Sequence, residues 1–236
     1  MSGWLSRVLA ESRFEWPVEL TEARLELRGL CRGVDVVRLR PLRTGDAAAW
    51  RALRVAEEGR LARWDATLPP GCGEGELSFA VYVRGLRRQA RAGTAMPFAI
   101  EADGDFAGQV SVEPIVWGSM RSATLGYWLG SRWEGRGVMT LCVAMLLDYL
   151  LGPEVGLHRV EVNIRPENGP SLAVVRKLVL REEGMRLRYM HVAGRWADHR
   201  SFAATAEELG VGYVHRLEDR LEERAVPPVG GEHTPA

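Results

Sequence analysis

Lysine is nearly absent from this sequence, in which Lys177 is the only example among 236 residues. Arginine takes its place, and the formal net charge is zero because the basic and acidic residues are equal in number. Proteins that bind nucleic acids or anionic membranes commonly have a strong net positive charge. The even balance therefore gives no support to either as a partner, and we expect none.

Cysteine is also scarce, and long apolar runs are missing. The three cysteines, Cys31, Cys72 and Cys142, show no metal-ligand spacing and leave an odd count, so neither a disulfide scaffold nor a metal site is expected. No stretch reaches the roughly 18 apolar residues of a membrane span. Met1 to Glu11 has no secretory signal pattern. These features predict a protein of the reducing cytoplasm.

The most informative stretch that is present lies between residues 125 and 171. The strand Leu125–Leu129 precedes the loop Arg132-x-x-Gly135-x-Gly137, and an apolar helix follows it. A second helix start, Pro166–Ser171, comes after the next predicted strand. Glycine loops that open helices present backbone N–H groups to anions. This spacing differs from the phosphate loops of kinases and dinucleotide enzymes, and it suggests the diphosphate of coenzyme A.

Three parts of the chain are predicted around this stretch. Residues 1–33 form an arm and an extra strand at Leu25–Gly33, whose alternation of apolar and charged residues resembles that of Val37–Gly45. Residues 34–208 form the main domain. Residues 209–236 form a charged, solvated helix and a disordered tail.

The joint spacing of several motifs resembles the GCN5-related N-acetyltransferase (GNAT) superfamily over residues 36–208. The motifs are Arg132-x-x-Gly135-x-Gly137, Arg165-Pro166-Glu167-Asn168 with Ser171, Gly126-Tyr127-Trp128 and Gly194-x-Trp196-x-Asp198-His199. More narrowly, they resemble the RimJ/RimL-like branch, which acetylates protein N-termini. The resemblance implies an α+β fold with a central mixed, mostly antiparallel sheet flanked by helices. It also implies a V-shaped opening between two central strands.

The same resemblance implies acetyl-CoA as the co-substrate, direct attack of an amine on its thioester, and no metal. It places the pantetheine arm along Trp128–Gly130 and the diphosphate on the loop that follows. Asn168 would cap the later helix and orient the cofactor, and Ser171 would protonate the leaving thiolate. The cofactor-binding residues expected on this basis are Trp128, Leu129, Gly130, Arg132, Glu134, Gly135, Arg136, Gly137, Val138, Asn168 and Ser171.

The acceptor side is less marked in the sequence. An α-amine titrates near 8 and needs little help to lose its proton, so one carboxylate acting through water suffices as a base. Glu113, near a strand end, is the first candidate, and Asp65 is the second or else recognises the amine. Trp64, Asp65, Tyr189 and His191 are expected to border the acceptor groove. Cys142 lies within the apolar helix and is rejected as a nucleophile.

One departure from the branch leaves alternatives open. Where the branch commonly has Lys-Leu-Gly-Phe, this chain has Lys177-Leu178-Val179-Leu180. Either the helix ends differently here, or the packing beside Leu180 has changed. A protein N-terminus is the favoured acceptor. The alternatives are a small amine such as an antibiotic, a polyamine or an amino acid, or an acyl-CoA-binding regulatory module without turnover. Both a monomer and a homodimer remain open.

Overall fold

One eight-stranded sheet organises the computed structural model, which describes residues 14–72 and 77–225. The strand order is β1-β2-β3-β4-β5-β6-β8-β7, and all neighbours are antiparallel except β5 and β6. The strands are β1 Leu20–Glu22, β2 Val37–Pro41, β3 Met96–Ala102, β4 Asp105–Val116, β5 Ser122–Leu129, β6 Arg159–Ile164, β7 Arg181–Val192 and β8 Arg195–Thr205. The α+β fold and its mostly antiparallel sheet are confirmed.

Helices flank the sheet. They are α1 Ala47–Ala56, α2 Glu58–Leu61, α3 Phe79–Arg91, α4 Val138–Leu151, α5 Gly169–Lys177 and α6 Tyr213–Ala225, with short 3₁₀ turns at Thr44–Asp46, Ala62–Trp64, Ser131–Trp133 and Ala206–Glu208. Helix α4 is apolar on nearly all sides, and most of its side chains are buried in the main core. A helix of this composition is expected to lie inside a domain.

The two parallel strands diverge. Ser122 to Leu125 of β5 pair with Arg159 to Val162 of β6, but β5 continues to Leu129 without pairing β6 there. Strand β6 instead continues along β8 to Ile164. The opening therefore lies at Gly126–Leu129, between the two helix starts that the sequence identified.

In the flanking segments, the extra N-terminal strand lies elsewhere than expected, and the predicted C-terminal helix is present at Tyr213–Ala225. Leu25–Gly33 forms a series of turns and not a strand, because Gly29 and Gly33 adopt φ values of +70° and +62°. The Leu25 side chain is fully buried. The added strand is Leu20–Glu22, which pairs with β2. The C-terminal helix is not simply solvated, since Tyr213 and Leu217 are buried and α6 packs on α4. Residues 1–13 and the predicted tail beyond 225 lie outside the described residues.

Candidate active site

A cleft of about 880 Å³ occupies the opening between β5 and β6. Its walls come from β4 and β5, from α1, residues 60–66 and Tyr82 of α3, and from the start of α4 and one side of α5. One end lies at the glycine loop and the other at the Glu113 end of β4. The cleft thus joins the predicted donor and acceptor sides in one continuous space.

The glycine loop forms the first end. Gly135 and Gly137 have φ values of +68° and +96°, a region that favours glycine. A Cβ on Gly137 would lie 2.4 Å from the Leu30 carbonyl oxygen, so the N-terminal turn leaves no space for a side chain. Helix α4 starts at Val138 without a side-chain cap. Its first N–H groups and the helix dipole make this end suitable for an anion.

The two arginines of the loop do not line the cleft. Arg132 pairs with Asp105 at 2.8 Å and lies over the Trp133 ring. Arg136 donates to the Arg132 carbonyl at 2.8 Å. Its Nη1 lies 3.5 Å from the carbonyl oxygens of both Arg32 and Gly33. In this structure the Arg136 side chain braces the loop against the N-terminal turns rather than facing the cleft.

Arg60 is the guanidinium that reaches the loop from the cleft side. Its Nη2 donates to the Leu129 carbonyl at 2.5 Å, its Nη1 pairs with Glu134, and its Nε donates to Glu57 at 2.7 Å. Glu57 is buried and accepts from the Ser131 N–H and hydroxyl at 2.8 and 2.5 Å. Sequence reasoning missed Arg60, because nothing in the local pattern of α2 points to a partner on β5.

The start of α5 forms the middle of the cleft. The Asn168 side chain accepts from the Ser171 backbone N–H at 3.2 Å, and Asn168 is the N-cap residue of the helix. Both residues line the cleft, as do Trp128, Leu129, Glu134 and Val138. The cap interaction is the one expected from the sequence, and it orients Ser171 within the first turn.

Tyr127 is a further hydroxyl at this point. Its oxygen is buried and has no hydrogen-bond partner among the residues that the structure describes. Burial raises the pKa of Tyr127, and the nearby Ser171 hydroxyl partly opposes that shift. Tyr127 therefore stays protonated, with a free O–H beside Ser171. The sequence contained it in a quoted motif, but the motif gave no reason to assign it a role.

Alternate residues of β4 form the acceptor end. Gln109, Ser111 and Glu113 follow the two-residue period of a strand and all line the cleft. Glu113 is exposed to solvent in the open cleft, but partial desolvation by the cleft walls raises the pKa of its carboxyl, an effect partly opposed by the hydrogen bond to Ser111. A carboxylate with a raised pKa is a stronger base than an ordinary glutamate.

Asp65 is placed differently from Glu113. It lines the cleft, but its Oδ2 accepts from Arg54 Nη2 at 2.5 Å. The ion pair engages one carboxylate oxygen of Asp65 and holds it toward Arg54. Trp64 also lines the cleft, between the guanidinium groups of Arg63 and Arg165, which lie 5.1 and 5.5 Å from its ring centroid.

Tyr189 and His191 do not line the described cleft. The His191 carbonyl accepts from Thr67 N–H at 2.9 Å, and its buried ring lies 2.8 Å from the Thr67 hydroxyl. The segment around Ala66 docks along this end of β7, and it forms the cleft wall that β7 was expected to form.

The remaining functional classes find little support in the described residues. Burial raises the pKa of the Cys142 thiol, and it raises that of Cys31 to about 12, so both stay protonated. No group of His, Cys, Asp and Glu side chains in residues 14–72 and 77–225 has the arrangement of a metal site. None of the described helices combines the length and apolar character of a membrane span.

Comparison with known proteins identifies the family. The model for the acetyltransferase (GNAT) domain matches residues 37–181. The chain belongs to the GNAT acetyltransferase family. A solved structure of Mycobacterium smegmatis RimJ in complex with CoA-disulfide is 38% identical, with a TM-score of 0.77 over 89% of this chain and 97% of that one. This likeness confirms the RimJ/RimL-like branch predicted from the motifs.

Curated relatives agree over a shorter segment. The "Probable N-acetyltransferase YjcK" of Bacillus subtilis (strain 168) is 33% identical over 43% of this chain and 56% of its own length. The [Ribosomal protein uS5]-alanine N-acetyltransferase of Escherichia coli (strain K12) is 28% identical over 44% of this chain and 53% of its own length. The chain therefore spans about half the length of these curated relatives in the alignments.

Proposed function

We propose that this protein is an acetyl-CoA-dependent N-acetyltransferase that acts in the cytoplasm on the α-amine of a protein N-terminus. The observation that carries the proposal is the single cleft that joins an anion-binding loop, a pair of hydroxyl groups and a basic carboxylate. The relatives named above support the donor and the acceptor class.

The donor side fits coenzyme A. The uncapped N–H groups at the start of α4 suit its diphosphate. Arg60 lines the same end of the cleft and retains N–H donors beyond those bound to Glu57, Glu134 and Leu129. The part of β5 beyond Leu125 has a free edge toward β6, on which the pantetheine arm can pair as a short strand. Acetyl-CoA supplies the activated thioester, and the protein supplies binding and orientation.

The acceptor side fits a reaction by direct attack. Glu113 takes the proton of the incoming amine, directly or through one water molecule. Ser171, with the Tyr127 O–H beside it, returns a proton to the departing sulfur. Neither step requires a covalent bond to the protein, and the buried Cys142 takes no part.

Two measurements on the full chain test this function. Calorimetry is expected to detect coenzyme A binding in the micromolar to millimolar range usual for substrates. Mass spectrometry is expected to detect acetylation of a peptide that begins with alanine. A folded sample that does not bind coenzyme A would contradict the whole proposal. Transfer to small amines alone would exclude the peptide acceptor, and binding without any transfer would indicate a non-catalytic acyl-CoA-binding module.

A further inference from the structure

Arg54 is held at the acceptor end of the cleft by aromatic and acidic neighbours. Its guanidinium carbon lies 5.8 Å from the Trp50 ring centroid and 5.3 Å from that of Trp128. These are distances at which a cation is attracted to a ring face. The ion pair with Asp65 fixes the remaining direction of the side chain. An arginine held in this way loses little entropy when it binds a further group.

The support around Arg54 is itself ordered by hydrogen bonds. Trp50 Nε1 donates to the Gln109 side-chain oxygen at 3.0 Å, and Gln109 Nε2 donates to the Tyr82 hydroxyl oxygen at 2.9 Å. Gln109 is buried, so this bridge fixes one of the two rings that hold Arg54. The guanidinium position is therefore built into the fold and does not depend on a flexible surface side chain.

Arg54 retains donors for a ligand. A guanidinium has five N–H donors, and within the described residues the hydrogen bond to Asp65 is the one that Arg54 makes. The side chain lines the cleft and is about one quarter exposed (23%). These donors are available to an acceptor atom of a molecule inside the cleft.

The local charges select the kind of acceptor atom. Two carboxylates, Asp65 and Glu113, line this end of the cleft together with Arg54, and Arg63 lines the wall beside Trp64. A negatively charged ligand group would meet repulsion from Glu113, whereas a neutral carbonyl oxygen would not. A positively charged amine beside that carbonyl is favoured by the same carboxylates.

We propose that Arg54 binds the carbonyl oxygen next to the acceptor amine and so restricts the acceptor to an aminoacyl group in amide linkage. This inference rests on the proposed function and specifies its substrate. An N-terminal residue of a peptide has both the amine and the neutral carbonyl. A polyamine has no carbonyl, and a free amino acid has a carboxylate in its place.

Steady-state acetyl transfer with three acceptors tests the inference on the full chain. The acceptors are a peptide with N-terminal alanine, free alanine and an aliphatic diamine. In Arg54→Gln we expect the KM for the peptide to rise ten- to a hundred-fold, as for the loss of a hydrogen bond to a charged group. Because Arg54 is proposed to contribute to peptide binding only, the kcat and the KM for acetyl-CoA are expected to stay within about two-fold of the parent values. The preference for the peptide over the diamine is expected to shrink accordingly.

Two further variants control the interpretation. Arg51→Gln removes an exposed arginine of the same helix that does not line the cleft, and its peptide KM is expected to match the parent. Arg54→Lys keeps the charge but loses the planar fork, so it is expected to behave like Arg54→Gln. Thermal unfolding of each variant verifies that the fold is retained.

Calorimetric titration of the peptide into the protein–CoA complex separates this inference from the proposed function. Acetylation of the peptide with an unchanged KM in Arg54→Gln would overturn the inference and leave the function intact. If the peptide binds in an Arg54-dependent manner but is not acetylated, the inference holds and the proposed function is overturned. A parent protein that prefers the diamine would overturn the inference, and one that neither binds nor acetylates the peptide would overturn both.

Discussion

The backbone N–H of Leu180 donates to the carbonyl oxygen of Val175 at 3.0 Å and closes the C-terminus of α5. Val179 N–H donates to the Arg176 carbonyl at 3.1 Å, which completes the two-bond turn that usually contains glycine. Val179 lies in this turn with φ of +56° and is 60% exposed. The helix therefore ends as in a glycine-containing relative, with a β-branched residue in a left-handed conformation.

Val179→Gly is expected to stabilise the protein. A β-branched residue at positive φ destabilises the folded state by about 1–3 kcal/mol. Glycine removes this strain, but part of the gain is lost because glycine has more conformational freedom in the unfolded chain. A net gain of about 1 kcal/mol corresponds to a rise in Tm of about 2–4 °C for a chain of this size. Calorimetry provides the measurement, and Val179→Ala, which relieves only the branching, is expected to give a smaller rise. A fall in Tm for the glycine variant would refute the strain at this turn.

Gly137→Ala and Gly135→Ala form a matched pair in the glycine loop. A Cβ on Gly137 would meet the Leu30 carbonyl at 2.4 Å, whereas one on Gly135 has nothing within 4 Å. Gly135→Ala is expected to cost about 1 kcal/mol of backbone strain without displacing the N-terminal turn. Gly137→Ala must also displace the loop or the N-terminal turn, so we expect at least a ten-fold weaker Kd for coenzyme A in calorimetry. Equal Kd values for the two variants would argue against a close contact between the turn and the loop.

The N-terminal turns show which part of the fold could not be predicted from the sequence. The strand Leu125–Leu129 and the apolar α4 give local signals in the sequence, and these signals predicted the strand–loop–helix unit correctly. Leu25–Gly33 has strand-like alternation, but its glycines turn the chain, and its backbone meets the loop through the hydrogen bond from Arg32 N–H to the Arg136 carbonyl at 2.9 Å. Contacts of this kind join distant segments and leave no period in the sequence.

The same limit applies to the site. Asn168, Ser171 and the loop glycines occur in motifs and were identified from them. Arg54 and Arg60 lie on α1 and α2, and their partners on β5 and in the loop are defined only by the folded chain. Tyr189 and His191 were expected in the groove because β7 was expected to form its wall, but the segment at Asp65–Thr67 covers that position.

Arg60→Gln is expected to weaken coenzyme A binding about ten-fold, because Arg60 faces the cleft beside the loop. Arg136→Gln is expected to change the Kd by less than about two-fold, since its side chain faces the Arg32 and Gly33 carbonyls. Calorimetry with coenzyme A and with pantetheine, which has no phosphates, separates a charge effect from a change in cleft shape. If Arg60→Gln weakens both ligands equally, Arg60 acts through the loop structure and not on the diphosphate.

Glu113→Gln is expected to lower kcat/KM by about 100-fold or more, as for the loss of a general base. Partial desolvation in the cleft raises the pKa of the exposed Glu113 carboxyl, so it gains a proton at a higher pH than an ordinary glutamate does. The kcat/KM of the parent protein therefore falls as the pH drops through that raised pKa. In Glu113→Gln this acidic limb of the pH–rate profile is absent. The limb set by the acceptor amine, near pH 8, remains in both. Glu58→Gln, an exposed position outside the cleft, is the control, and an unchanged pH profile in Glu113→Gln would reassign the base.

Ser171→Ala and Tyr127→Phe test the hydroxyl pair at the start of α5. The Ser171→Ala variant keeps the backbone N–H that Asn168 caps, so the helix and the Kd for coenzyme A are expected to persist while kcat falls roughly 100-fold. Tyr127→Phe removes a buried hydroxyl that has no partner in the described residues, so its Tm is not expected to fall.

The double variant decides whether the two hydroxyls act together. If Tyr127 acts through Ser171, the double variant loses no more kcat than Ser171→Ala, because the second hydroxyl has nothing left to act on. If the two losses multiply, each hydroxyl reaches the departing sulfur by itself. A Ser171→Ala variant with full kcat would remove serine from proton transfer and leave Tyr127, whose raised pKa keeps its proton at neutral pH, as the acid to test next.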